Sequence, residues 1–248
     1  NALVVVQVAL ALVLLVSSGL MIRTFVALRN VQPGFARPAE IQTVRIWIPA
    51  TQIREAQRFT QMQHDILDKI AAIPGVTAAA IASNVPIDGR ISGADPIIAE
   101  DHNDPSGQPP PVRRFKYVSP GYFRAMGTQM IAGRDLKWTE IERNIKVVVI
   151  GENLARELWN EPSSAIGKRI REPAPGNGPP VWREVIGVAE DVYENGPHQK
   201  APSLVYWPIM MDNFYGTPMY GTRAIAYVVR SERAGTESLL GDVRQAVW

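Results

Sequence analysis

The side chains best suited to hold a metal ion or move a proton near neutral pH are three histidines, His64, His102 and His198. Each stands singly, with no second histidine or cysteine within four residues, so the spacing that makes a metal site is missing. The acidic run Glu100-Asp101-His102-Asn103-Asp104 lacks the alternating ligands, central glycine and closing glutamate of a calcium loop, and reads as a solvated loop. Ile166-Gly167-Lys168-Arg169 ends like a phosphate loop. However, Pro162 stands where its first glycine belongs, and Arg169 where Ser or Thr would hold Mg²⁺. The chain is therefore not expected to bind ATP. Pro175-Gly176-Asn177-Gly178-Pro179 is a proline-bounded loop and not a dinucleotide turn. No Gly-x-Ser-x-Gly elbow occurs, and without cysteine there is no thiol nucleophile, disulfide or Cys-ligated metal. Tyr193, Tyr206, Trp207, Phe214, Tyr215 and Tyr220 either line an apolar groove or pack in core and loops. No catalytic, cofactor-binding or metal-ligating residue, and no cofactor, is expected.

The elements around these residues begin with an apolar stretch over 2–22, uncharged until Arg23. As a helix rising 1.5 Å per residue it would span roughly 30 Å, the hydrocarbon thickness of a bilayer. A signal peptide has a basic n-region and an apolar core of about 7–15 residues, and a buried soluble helix has some polar periodicity. Neither description fits this run. Ser17, Ser18 and Gly19 form a small-residue face on which another membrane helix can pack closely. The chain opens on Asn1, and further membrane segments are expected on either side of it. Arg23 and Arg29 flank only one end, so the positive-inside rule gives no orientation.

Beyond the span, about 215 residues suffice for one large domain or two small ones. Lys and Arg number 26 against 24 Asp and Glu, with no basic block, which argues against a nucleic-acid partner. The 20 prolines and 19 glycines point to a loop-rich α+β domain.

Gln32-Pro33-Gly34 stops the first helix, and the domain begins there. A strand is expected over 41–48. A helix over 52–73 follows with Thr51 as N-cap, its apolar stripe running through Phe59, Ile66 and Ile70. A strand over 76–82 completes a βαβ-like unit whose strands would run parallel if they share a sheet. The passage 86–111 reads as a long loop. Next come a strand over 112–118 and a short helix with Ser119 as N-cap, Pro120 at N1 and Gly127 past its end. Further strands are expected over 128–131, 145–150, 181–192 and 204–209, with a helix over 152–159. A strand over 224–229 and a helix over 235–248 repeat the outline of the first unit, suggesting a duplicated half-domain.

Several motifs together resemble a known family: Gln32-Pro33-Gly34-Phe35, the run from Tyr117 to Gly127, Gly133-Arg134-Asp135, the run from Val147 to Trp159, and Ile166 to Ile170. They are similar to the periplasmic core domain of MacB-like ABC transporter permeases of the FtsX/MacB family, most of all the duplicated orphan permeases without an ATPase of their own. Gly151 departs from the pattern by replacing the asparagine usual before the helix. The resemblance implies a transmembrane helix and its extension over 1–31, followed by a porter-like subdomain whose halves occupy 36–100 and 212–248. A strand-rich subdomain over 101–211 is inserted between the halves. It also implies a non-catalytic domain that relays ATP-driven motion of membrane helices to substrate export or extraction. Its partners would be a separate ABC ATPase subunit, the other transmembrane helices of the permease, the lipid bilayer and a periplasmic adaptor. The place implied is the inner membrane, with Asn1 towards the cytoplasm and residues after about Arg23 outside. The alternative is a membrane-anchored sensor or ligand-binding domain. Three further apolar spans downstream would favour the permease, and a single span leading to a signalling helix would favour the sensor.

Overall fold

The computed structural model describes residues 2–29, 34–49, 51–89, 92–102, 109–173, 181–196, 199–210 and 222–247. It divides into two compact units, Asn1–Pro33 and Gly34–Trp248. The first is one helix, α1 (Ala2–Arg29), of which Ala2–Val26 is long and apolar enough to cross a membrane. The apolar side chains from Leu3 to Val26 are exposed within this unit, as they would be in a helix whose solvent is lipid.

The second unit is built on one mixed sheet of eleven strands. In chain order they are β1 (Ile41–Trp47), β2 (Val76–Ala82), β3 (Gly93–Pro96), β4 (Ile98–Ala99), β5 (Val112–Val118), β6 (Met130–Gly133), β7 (Val147–Gly151), β8 (Arg169–Arg171), β9 (Arg183–Ala189), β10 (Leu204–Pro208) and β11 (Ala224–Ser231). Between them lie α2 (Ala56–Ala71), α3 (Tyr122–Met126), α4 (Trp138–Glu142) and α5 (Glu152–Trp159), and α6 (Glu237–Val247) follows β11. The order across the sheet is β1-β11-β2-β5-β10-β7-β9-β8-β4, with β3 added on β5 and β6 on β9.

β11 pairs antiparallel with β1 on one side and β2 on the other. The strands flanking α2 therefore run parallel in one sheet, as expected, but with a strand from the far end of the chain between them. β5 with β10 and β7 with β9 are the parallel pairs. β2 touches β5 through one residue pair, Ala82 with Val118. The segment 36–100 divides by its pairing, since 41–82 joins β11 while β3 and β4 pair with β5 and β8.

Both faces of the sheet are covered, which explains strands that are apolar throughout rather than alternating. Ile81, Val148, Ile150, Tyr227 and Val229 point to one core, covered by Ile66 and Ile70 of α2, Leu154 of α5 and Leu239 of α6. Ala78, Ala80, Ala82, Val147, Val149 and Val228 point to the other, covered by Tyr122, Phe123 and Met126 of α3. On the α3 side β2 presents only alanines, Ala78, Ala80 and Ala82, which lets that short helix sit close to the sheet.

Several local expectations require correction. Thr51 does not cap α2, because the chain first makes a turn in which Gln52 N–H donates to Pro49 O (3.0 Å), and the helix starts at Ala56. Ser119 does not cap α3, which begins after Gly121. Its hydroxyl instead accepts from Ile81 N–H (2.8 Å), tying β2 to the turn. The passage 86–111 is not wholly loop, since it contains β3 and β4.

Candidate functional site

The residues of promise are dispersed rather than gathered. His64 stacks on Trp138 (ring centroids 4.1 Å apart), and His102 hydrogen-bonds Asp101 (2.9 Å). His198, the proline-bounded loop 175–179, and Phe214, Tyr215 and Tyr220 lie outside the described residues. Tyr206 and Trp207 are core side chains, buried on opposite faces of β10. Among the described residues no three His, Asp or Glu side chains gather to hold a metal ion. Glu100 and Asp101 meet the phosphate-loop lookalike, because Lys168 pairs with Asp101 (2.7 Å) and Arg169 with Glu100. Burial works to raise the Asp101 carboxyl, but hydrogen bonds from Lys168, His102 and Trp159 overcome it and hold the group well below the usual range. These two charged motifs neutralise each other where the turn after β4 meets the start of β8.

What the structure does assemble is a clamp on residues 34–40, the segment into which the chain leads after α1. Gly34 adopts φ +80°, and an added Cβ would lie 2.1 Å from Asp191 O, so only glycine fits against that backbone. Its carbonyl accepts from Thr128 Oγ1 (3.0 Å), and Ala36 N–H donates to Gly127 O (3.2 Å). The centre of the clamp is Arg230 on β11, 9% exposed. Its Nε donates to Ala125 O (3.0 Å), Nη2 to Ala36 O (2.9 Å) and Nη1 to Glu40 (3.0 Å). One planar guanidinium thus fixes the segment, the end of α3 and the C-terminal strand, a use that suits its rigid fork of donors. Gly127 leaves room for it, since a Cβ there would lie 2.6 Å from Nη2.

The motifs behind the clamp lock into one another. Asp135 accepts from Gly121 N–H (3.0 Å) and Leu136 N–H (2.7 Å), joining the run from Tyr117 to Gly127 to Gly133-Arg134-Asp135. Gly151 carries no side chain to cap α5, and Asp191 caps it from across the fold, accepting from Asn153 N–H at 3.0 Å. A Cβ on Gly151 would lie 3.0 Å from Asp191 Oδ1, so the loss of a local cap makes room for the distant one.

Burial pushes the Asp191 carboxyl up to about 6, with Glu152 and Glu190 adding to the shift against the bond from Asn153. A raised folded value means the native state holds the proton more tightly than the unfolded chain. The resulting stability is complete below pH ~4 and disappears as pH rises through ~6. Asp191→Asn is expected to flatten the stability profile between those limits, as measured by urea unfolding midpoints across pH 4–8.

An α+β module led by a helix of membrane-spanning length, with a clamp just after that helix, is the class of protein that fold and site define. A family model described as MacB-like periplasmic core domain matches residues 2–239, and the chain belongs to that family. It is an extracytoplasmic domain of a MacB/FtsX-like ABC transporter permease. No match is found among curated proteins. Among solved structures it is similar to the periplasmic region of MacB from Actinobacillus actinomycetemcomitans, at 13% identity and TM-score 0.48 over 86% of this chain and 82% of that one. It is also similar to the extracellular domain of the noncanonic ABC-type transporter YknZ from Gram-positive bacteria, at 16% identity and TM-score 0.45 over 82% and 88%.

Proposed function

We propose that this domain relays ATP-driven motion of membrane helices to substrate export or extraction, and that it contributes no catalytic group. The observation that carries the reading is the Arg230 clamp. The chain passes from α1 into a segment that two contacts tie to the Arg230 guanidinium of β11, which a third contact ties to α3, so a displacement of that segment loads the central sheet. Transmission of this kind needs packed elements with shared contacts and no reactive side chain.

In this reading α1 lies in the inner membrane with Asn1 towards the cytoplasm, and residues after about Arg23 are outside. The Ser17-Ser18-Gly19 face meets sister helices of the permease. A separate ABC ATPase supplies the motion, and an adaptor outside the membrane is a further partner. In this reading 36–100 and 212–248 are the halves of a porter-like part and 101–211 the inserted part; the pairing of 41–82 with β11 supports the joining of the two halves.

The test is hydrogen exchange on the full-length permease with its ATPase in nanodiscs, compared without nucleotide and in the vanadate-trapped state. Amides of 36–40 and of β11 are expected to change protection together. In Arg230→Met the change at β11 is expected to vanish while ATP hydrolysis persists. A parent protein whose domain amides ignore the nucleotide state would end the relay reading.

A further inference from the structure

Away from the clamp, a cavity of about 600 Å³ opens between the β4 strand, the start of β5 and helix α5. Ile98, Pro110, Leu154 and Leu158 are among its apolar lining, and its polar lining is Arg113 and Arg171 with one carboxylate, Glu157, and His102. The volume falls in the range of small-molecule sites, which pair a mainly apolar wall with a few placed charges.

The two arginines differ in what they already hold. Arg113 is engaged by the Glu157 carboxylate, which Ser203 Oγ also bonds. Arg171 has no carboxylate partner among the described residues. Its Nη1 donates to the backbone carbonyl of Glu172 (3.2 Å), and its guanidinium lies over the Trp182 ring, 5.0 Å from the centroid. The neighbouring Glu172 carboxylate is taken by Arg183, which donates to both of its oxygens (3.0 and 2.8 Å). A half-buried guanidinium that lies over an aromatic ring and has no ion pair with a carboxylate among the described residues offers charged donors beside an apolar wall.

We infer that this cavity binds an amphipathic anion, a carboxylate or phosphate head on an apolar body, with the head on Arg171 and the body against Ile98, Leu154 and Leu158. The inference stands on the cavity and its charges and does not depend on the relay reading. Hydrogen bonds to a charged group that is partly removed from water contribute about 1.5–3 kcal/mol, or roughly ten- to a hundredfold in affinity.

The test is calorimetric titration of the full chain in lipid nanodiscs with octanoate, octyl phosphate and octan-1-ol, against empty nanodiscs to subtract lipid partitioning. Saturable binding of at least one anion is expected, about tenfold or more tighter than octan-1-ol. Arg171→Gln is expected to lose about tenfold for the anion and little for the alcohol, whereas Arg171→Lys keeps most of the affinity. The thermal unfolding midpoint of each variant establishes that it is folded. Octan-1-ol binding as tightly as the anions, Arg171→Gln binding them like the parent, or no saturable binding beyond empty nanodiscs would each overturn the inference.

Discussion

Glu194→Ala is expected to lower the unfolding free energy by about 3–5 kcal/mol, the loss typical of a buried charge deprived of its partner. Glu194 accepts from Lys116 Nζ at 2.6 Å, and Lys116 is fully enclosed beside the Tyr122 ring, whose centroid is 5.9 Å away. With the carboxylate gone the ammonium must either lose its proton or stay charged without compensation. The double variant Lys116→Met/Glu194→Leu removes both charges and is expected to lie much closer to the parent than either single change. Urea unfolding of the chain in mild detergent checks both. A single variant within about 1 kcal/mol of the parent would mean that water reaches the pair.

Gly34→Ala is expected to cost about 3 kcal/mol or more and to release residues 36–40 from the body of the domain. Two effects add there: left-handed backbone strain of about 1–3 kcal/mol, and a Cβ 2.1 Å from Asp191 O. That carbonyl cannot retreat cheaply, because the Asp191 side chain is holding the start of α5. Gly89 provides the control. It has φ +74° and open space where a Cβ would stand, so Gly89→Ala is expected to show the strain alone, about 1 kcal/mol. The difference between the two midpoints isolates the steric contact, and faster hydrogen exchange of Ala36 N–H would locate it at the clamp.

Local pattern was enough to read much of this fold. The span over 2–22, the strand Val76–Ala82 and the helix Glu152–Trp159 follow from unbroken apolarity, small β-forming residues and helical spacing. Capping was harder, because Thr51 and Ser119 have the right chemistry for an N-cap but their hydrogen bonding is settled by turns and by a neighbouring strand. The clamp was not legible at all. Arg230 is one arginine among many in the chain, and its partners Ala36, Glu40 and Ala125 are joined to it only by the order of strands. Lys116 gave a faint signal, a charge at the apolar end of a strand between Phe115 and Val118, yet nothing nearby in the chain names Glu194 as its partner. Asp191 was missed for the same reason, although Gly151, a helix start without a capping side chain, marked the place where a distant cap was needed.

The position of β11 between β1 and β2 also sets a timetable. Ile41 pairs with Arg230, so the first strand made has no hydrogen-bonded neighbour until almost the whole domain has been synthesised. Until then β1 and β2 present open edges and an apolar face, the conditions under which chains associate wrongly. Closing so long a loop is slow, and the sheet then completes late and cooperatively. Where the residues after α1 cross a membrane in the order they are made, α1 would be in place well before the domain it carries could fold, leaving an interval in which the first strands need shielding.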